Sequence, residues 1–347
     1  MKICFVGHTF HGRTKSSAFM QDVLRDLGDL TVLDSSPEDA GISDDAIIEH
    51  YRSHSYDLWV FWQTEYVAER LLPLGLRNAV IAPMYDGAWA RPDAFFQQFV
   101  GCRFASFSRE LHKRLLQLDC RSVCFEYWPE AGEAIDRPFA RSTWSAFFWE
   151  RRPREIPNAR SVIQQCRALS IGKLHLHAAP DFADEGKGAH GYRFRDKVNG
   201  VSVSTSKWFD NAADYHAVST TPLFYFAPRL TEGIGMATLE AMARGQIVVA
   251  PDRPTANQYI GHMSSGLLYD PDRPYALPML GEAQVEDLSR AARLRVKRGR
   301  EEWDLDRERL ISFLTEDGRR WATTDISAHF GNKLRRAVRE RRLNRRR

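Results

Sequence analysis

Long apolar runs are missing from this sequence. Nothing in its 347 residues approaches the roughly 18 consecutive apolar positions of a membrane-spanning helix. The first apolar run, Ile3–Gly7, holds five residues behind one lysine, too short for the core of a secretory leader. Cysteine is scarce: Cys4, Cys102, Cys120, Cys124 and Cys166 are an odd, scattered five. That set excludes a disulfide framework and suits a reducing cytoplasm. Internal repeats and low-complexity tracts are absent too, apart from an arginine-rich end. What is there suits packed cores: 43% hydrophobic and 12% aromatic residues, in a chain long enough for two domains.

A basic body is also lacking. The net charge is +4, yet residues 333–347 hold nine Lys/Arg against one Glu, which leaves the remaining 332 residues at −4. A mildly acidic body is not the footprint of a nucleic-acid binder, so no nucleic-acid partner is expected. The tail "NKLRRAVRERRLNRRR" has leucine and valine only at Leu334, Val338 and Leu343. It suits attraction to an anionic membrane surface, at about 1 kcal/mol per basic residue near that surface. The expected location is cytoplasmic, with a peripheral position at the inner membrane face.

Short apolar runs alternate with helix-like stretches. "KICFVGH", "LTVLD", "DLWVFWQ", "AVIAPMYD", "RFASFS" and "SVCFEYWP" read as strands, and "SSAFMQDVLRDLG" reads as a helix stopped by Gly28. After a looser stretch the pattern restarts at "WSAFFWERR" and continues through "KLHLHAA", "GVSVSTS", "PLFYFAP" and "QIVVAP". This order predicts an α/β chain of two Rossmann-like domains, 1–140 and 141–300, with a ligand cleft between them at the carboxyl ends of the strands. Helices at 301–332 are expected to pack back on the N-terminal domain, ahead of the tail at 333–347.

The segment "FAPRLTEGIGMATLEAMARG", Phe226–Gly245, sets two glutamates in apolar surroundings. Leu239, Met242 and Ala243 fall at i, i+3 and i+4 and predict the buried stripe of a helix. Glu240 is rotated about 100° from that stripe. Glu232 stands in the loop beyond a strand end, where Gly233 and Gly235 allow close backbone approach. Amides at the helix start favour phosphate, and ionised carboxylates accept from hydroxyls. A sugar nucleotide supplies both partners.

This segment closely resembles the E-x7-E motif of family-4 retaining glycosyltransferases, enzymes of the GT-B fold. The likeness runs through "GQIVVAPDRPTANQYIGHMSSGLLYDPD" and covers about residues 222–273, with weaker similarity at the first strand and at "AFFWERR". It implies a nucleotide-sugar donor, a glycan or lipid-linked acceptor in bacterial surface polysaccharide or glycolipid synthesis, and no metal or other cofactor. Carried over, Glu232 meets the donor sugar, with the amides of Gly233, Ile234 and Gly235 near its ring and diphosphate, and Glu240 meets the ribose. Arg151 or Arg152, with Arg154 as partner, takes the place of the family's diphosphate-holding cations, and Arg229 is within reach of the same group. Gly7 through Gly12 resembles the loop lying against diphosphate and acceptor. The family's histidine of the N-terminal domain is replaced by Tyr85 and Asp86, so Asp86 either orients the acceptor hydroxyl or caps a turn. Sugar-nucleotide epimerases and non-catalytic sugar-nucleotide binders share the fold and stand as alternatives.

Other signals read as structural. Asp270-x-Asp272 and Asp304-x-Asp306 do not end strands of a nucleotide-binding unit. His175 and His177 share one strand face with no third ligand, which suits a polar strand edge better than zinc. Cys120 and Cys124 read as buried thiols.

Overall fold

In the computed structural model, residues 1–35, 41–99, 101–180 and 197–316 are described. The expected tail at 333–347, and residues 317–332 before it, lie outside the described residues. The chain divides into two compact units, Met1–Phe125 with Leu305–Arg347, and Glu126–Asp304.

The first unit is built on β1 (Lys2–His8), β2 (Asp29–Ser35), β3 (Leu58–Trp62), β4 (Ala79–Ala82), β5 (Arg103–Ser106) and β6 (Ser122–Cys124). They form one sheet in the order β2-β1-β3-β4-β5-β6, with every pairing parallel. Both faces of the sheet are covered, so β3 reads Leu-Trp-Val-Phe-Trp and is buried throughout. Cys4, Val6, Trp59, Phe61, Ile81 and Phe104 build the core on one face.

The second unit holds β7 (Ser145–Trp149), β8 (Lys173–His177), β9 (Lys197–Val198), β10 (Val201–Ser206), β11 (Phe224–Phe226), β12 (Ile247–Pro251) and β13 (Leu267–Tyr269). Their order is β13-β12-β11-β7-β8-β10-β9, parallel except for the antiparallel β9–β10 pair at one edge. Ala146, Phe148, Leu174, Leu176, Phe224 and Val249 supply one core face. Burying each such side chain contributes about 1.5–3 kcal/mol.

Residues 126–144 belong to this second unit, ahead of the boundary at 140 read from composition. The physical reason lies in two side chains. The fully buried Trp128 packs on Tyr259 with ring centroids 4.9 Å apart. The buried Arg137 donates to the carbonyls of Arg244 at 2.7 Å and Thr220 at 2.5 Å, which satisfies the ends of two helices, Ala212–Thr220 and Met236–Ala243. Desolvation, with Arg244 nearby, lowers the Arg137 pKa to about 10.

One 34-residue helix, Glu282–Thr315, runs through the boundary between the units. Gly299 stands inside it because a β-carbon there would lie 2.2 Å from the Trp128 ring. From Leu305 onward the helix belongs to the first unit, where Phe313 meets Phe125 at 6.0 Å and Arg103 donates to the carbonyl of Phe313. No helix among the described residues is long and apolar enough to cross a membrane.

Candidate functional site

In a parallel sheet a ligand crevice opens at the carboxyl ends of two neighbouring strands whose connections leave in opposite directions. In the second sheet that point lies between β7 and β11, which pair with Phe226 opposite Phe148. Two loops leave from it. One follows Trp149 and carries Arg151, Arg152 and Arg154, and the other follows Phe226 and carries Arg229 and Glu232. Sequence positions about 80 residues apart are thereby set on adjacent strands.

The two helices at this crevice start differently. Helix Ala159–Ala168 is closed by a capping box between Asn158 and Ser161, and the Ala159 amide donates to Glu150 Oε1 at 2.7 Å. Its N-terminus is already held by a carboxylate. Helix Met236–Ala243 starts from Gly235 with no side-chain cap. Gly235 adopts φ 76, a left-handed conformation that glycine enters without strain. The first amides of this second helix are therefore the ones open to an anion.

Glu232 and Ile234 line a narrow crevice with Arg229, Gly235, Thr238, Thr255 and Tyr259, with a volume of about 10 Å³. Gly233 and Ile234 are buried, and the Glu232 carbonyl accepts from Thr255 Oγ1 at 3.4 Å. Leu239, Met242 and Ala243 are buried, and Glu240 turns away from them with its side chain 51% exposed. Although half open to solvent, its carboxyl is raised above the ordinary glutamate range by the dense protein around it, with Arg244 and His216 pulling it down. Arg244 Nη1 stands 3.9 Å from Glu240 Oε2.

Tyr225, fully buried on β11, lies near both glutamates. Burial raises its phenol well above the usual range, and Tyr215, Glu232 and Glu240 add to that while Arg244 opposes it. Tyr215 is pushed up to about 12, first by burial and then by Glu240, with Arg244 and Arg151 opposing. The structure thus gathers Glu232, Glu240, Arg151 and Arg244 around two tyrosines. Arg151 lies over the Trp149 ring at 5.1 Å, Arg152 pairs with Glu155 at 3.1 Å, and Arg154 is exposed. Arg244, Tyr215, Tyr225 and Glu150 were not singled out in the sequence. Arg244 alone left a signal there, as a cation one helical turn after Glu240.

The remaining expected residues belong to the first unit, whose own crevice lies between β1 and β3. Gly7 is buried within β1, and Gly12 is exposed in the helix Thr9–Thr14 that follows. The start of this helix is capped by its own neighbour, with His8 Nδ1 accepting from the Phe10 amide at 3.1 Å. Asp34 Oδ1 stands 3.1 Å from the place a β-carbon on Gly7 would take. Tyr85 and Asp86 open the short helix Tyr85–Ala88 beyond β4. Asp86 Oδ1 accepts from the Gly87 amide at 3.1 Å and lies 3.5 Å from Gln63 Nε2.

The motifs set aside have local partners. Asp270 accepts from the Asp272 amide at 3.0 Å and from Arg273 at 3.1 Å, while Asp304 pairs with Arg300 at 3.0 Å and Asp306 with Arg309 at 2.8 Å. His175 and His177 do not lie on a sheet edge. β8 is interior, and both imidazoles bond Ser206 on β10, at 2.8 and 2.9 Å, and stack on Phe147. Burial lowers the His177 pKa to about 4. Cys120 and Cys124 are half-buried rather than buried: Cys120 packs against the core from just before β6, and Cys124 ends β6, an edge strand. Among the described residues no three His, Cys, Asp or Glu side chains stand together as a metal cluster.

Residues 206–292 match the family model described as glycosyl transferases group 1. No curated protein matches the chain. Solved structures share its architecture throughout. A sucrose-phosphate synthase from Thermosynechococcus elongatus superposes with a TM-score of 0.63 at 15% identity, over 90% of this chain and 98% of that one. HepE of Anabaena, solved with UDP and glucose, gives 0.61 at 13% identity, over 90% of this chain and 100% of that one. The lipopolysaccharide outer core galactosyltransferase WaaB gives 0.61 at 13% identity, over 90% and 99%. The fold is GT-B. Within this GT-B chain the matched segment holds Glu232 and Glu240, whereas Arg151, Arg152 and Arg154 precede it.

Proposed function

We propose that this chain is a retaining glycosyltransferase that moves a sugar from a nucleotide-sugar donor to a glycan or lipid-linked acceptor. The observation that carries the proposal is the β7/β11 crevice, where an uncapped helix start, an arginine-bearing loop and two carboxylates stand together. The group 1 match over the same segment supports it. A solved neighbour named as a galactosyltransferase, and another solved with UDP and glucose, support it as well.

In this reading Glu240 accepts from the ribose hydroxyls and Glu232 from hydroxyls of the donor sugar. The amides at Gly235 and Met236 receive the diphosphate, and Arg151 and Arg229 neutralise the charge that grows on it as the glycosidic bond breaks. Arg152 and Arg154 supply further positive charge on the β7 side. The acceptor oxygen bonds to the anomeric carbon on the face the diphosphate leaves, and a diphosphate oxygen takes the acceptor proton. No protein nucleophile is used. Glu232 is then a positioning group whose contribution is geometry. Cationic side chains and helix amides do the work a metal would otherwise do, so turnover is expected to survive chelation by EDTA.

The test is a panel of nucleotide sugars offered with glycan acceptors. Release of nucleoside diphosphate with an anomerically retained product is expected for one donor. Binding without release for every donor would leave a sugar-nucleotide binder, and a free isomerised sugar nucleotide would make the chain an epimerase.

A further inference from the structure

Behind the segment that walls the Glu232 crevice lies a larger recess of about 440 Å³, lined from residues 257–265 and from the long helix. The helix side consists of Ala291, Leu294, Arg295 and Arg298, spaced i, i+3, i+4 and i+7, so all four lie on one face. The opposite wall is the turn Gly261–Ser265. It is held by Ser264 N and Ser265 N donating to the Gly261 carbonyl at 3.1 and 2.9 Å, and by Gly261 N donating to Ser265 Oγ at 3.0 Å. The recess belongs entirely to the second unit.

Two features distinguish it from an ordinary surface dent. Its lining holds two guanidinium groups with hydroxyls and amides from Ser264, Ser265, Asn257 and Gln258, and no carboxylate. Arg295 is anchored by the Trp128 ring at 4.3 Å and by Glu302 at 3.3 Å, whereas Arg298 is exposed. Leu294 is also left 45% exposed, an apolar patch beside the cations. The volume falls in the range of small-molecule sites, about 300–1,000 Å³.

We propose that this recess binds an organic phosphate, at a site separate from the donor crevice. The phosphate sits against Arg298 and Arg295 with the Ser264 hydroxyl as a further donor, and the carbon portion covers Leu294, Ala291 and Ile260. Guanidinium groups suit this ligand because they are always charged and bond phosphate oxygens in pairs. The phosphate can come from a soluble phosphoester or from a lipid headgroup, since both present the same anion with apolar carbon beside it.

The test uses the full chain with Arg298→Glu and Glu240→Gln. Glycerol 3-phosphate is titrated calorimetrically, and vesicles of phosphatidylglycerol or phosphatidylcholine are sedimented with the protein. The expected result is binding in one arm that Arg298→Glu weakens at least about tenfold while UDP binding stays unchanged. Glu240→Gln leaves that phosphate binding intact, and an excess of the donor's nucleoside diphosphate does not displace it, which together separate this site from the ribose and diphosphate subsites of the donor crevice. The basic tail is the same in both proteins, so it does not generate the difference. Equal binding by wild type and Arg298→Glu, binding in neither arm, or loss of the phosphate in Glu240→Gln would each overturn the proposal.

Discussion

At the β1/β3 crevice of the first unit, the helix start is taken by His8, and the Asp34 carboxylate stands against the loop. At the β7/β11 crevice of the second, the helix at Met236 starts uncapped and the neighbouring loop carries Arg151, Arg152 and Arg154. The two sheets share a parallel design, so each has a place where a ligand can sit. Side chains then give the two places different tastes. An anion entering the first meets a carboxylate and a capped helix start, and one entering the second meets open helix amides and guanidinium groups beside two carboxylates. Electrostatics thus favours the proposed placing of a diphosphate in the second unit.

The largest way to break this comparison is structural and should touch one unit only. Gly299→Val drives a branched side chain into the Trp128 ring, which is fully buried and cannot retreat. Overpacking of this kind costs about 3 kcal/mol. Urea unfolding followed by tryptophan fluorescence should show the second unit's transition moved to lower urea.

A smaller effect sharpens the charge contrast. Arg151→Glu should weaken nucleoside diphosphate binding about tenfold, or about 1.4 kcal/mol. Asp34→Asn in the other crevice should change it less than twofold. Fluorescence titration of both variants checks the pair, and equal losses would erase the contrast between the crevices.

A pH dependence in the first unit gives a third test. Burial raises the Glu65 carboxyl from 4.5 to about 7, and its Oε1 is shielded with no hydrogen-bond partner among the described residues. The folded state therefore holds a proton that the unfolded state has released between those two values. Stability from this group is full below the unfolded value, falls as pH rises, and is lost above about 7. Glu65→Gln should flatten that slope in thermal melts between pH 4.5 and 7.

Much of this arrangement was legible from residue order. Apolar runs placed the strands of both sheets, because strands covered on both faces must be apolar along their length. Gly245 and the stripe of Leu239, Met242 and Ala243 placed the helix that presents Glu240. The β9–β10 edge pair was not legible, since β9 is only two residues long. The interior position of β8 was hidden because His175 and His177 look like surface residues until Ser204 and Ser206 are set beside them. Tyr215 and Tyr225 carry no signal of their own in the sequence, and only the fold shows which charges they lie among. Glu150 lies beside a run of arginines in sequence, and only the fold shows it holding the start of the helix Ala159–Ala168.

The central claim is a division of labour between two carboxylates. Calorimetric titration with the donor's nucleoside diphosphate, run beside turnover, tests it on wild type, Glu232→Gln and Glu240→Gln. Glu240→Gln is expected to lose about 1–3 kcal/mol of nucleotide affinity. Glu232→Gln should bind nucleotide as wild type does while its turnover falls about a hundredfold. Equal and small effects from the two substitutions would contradict it.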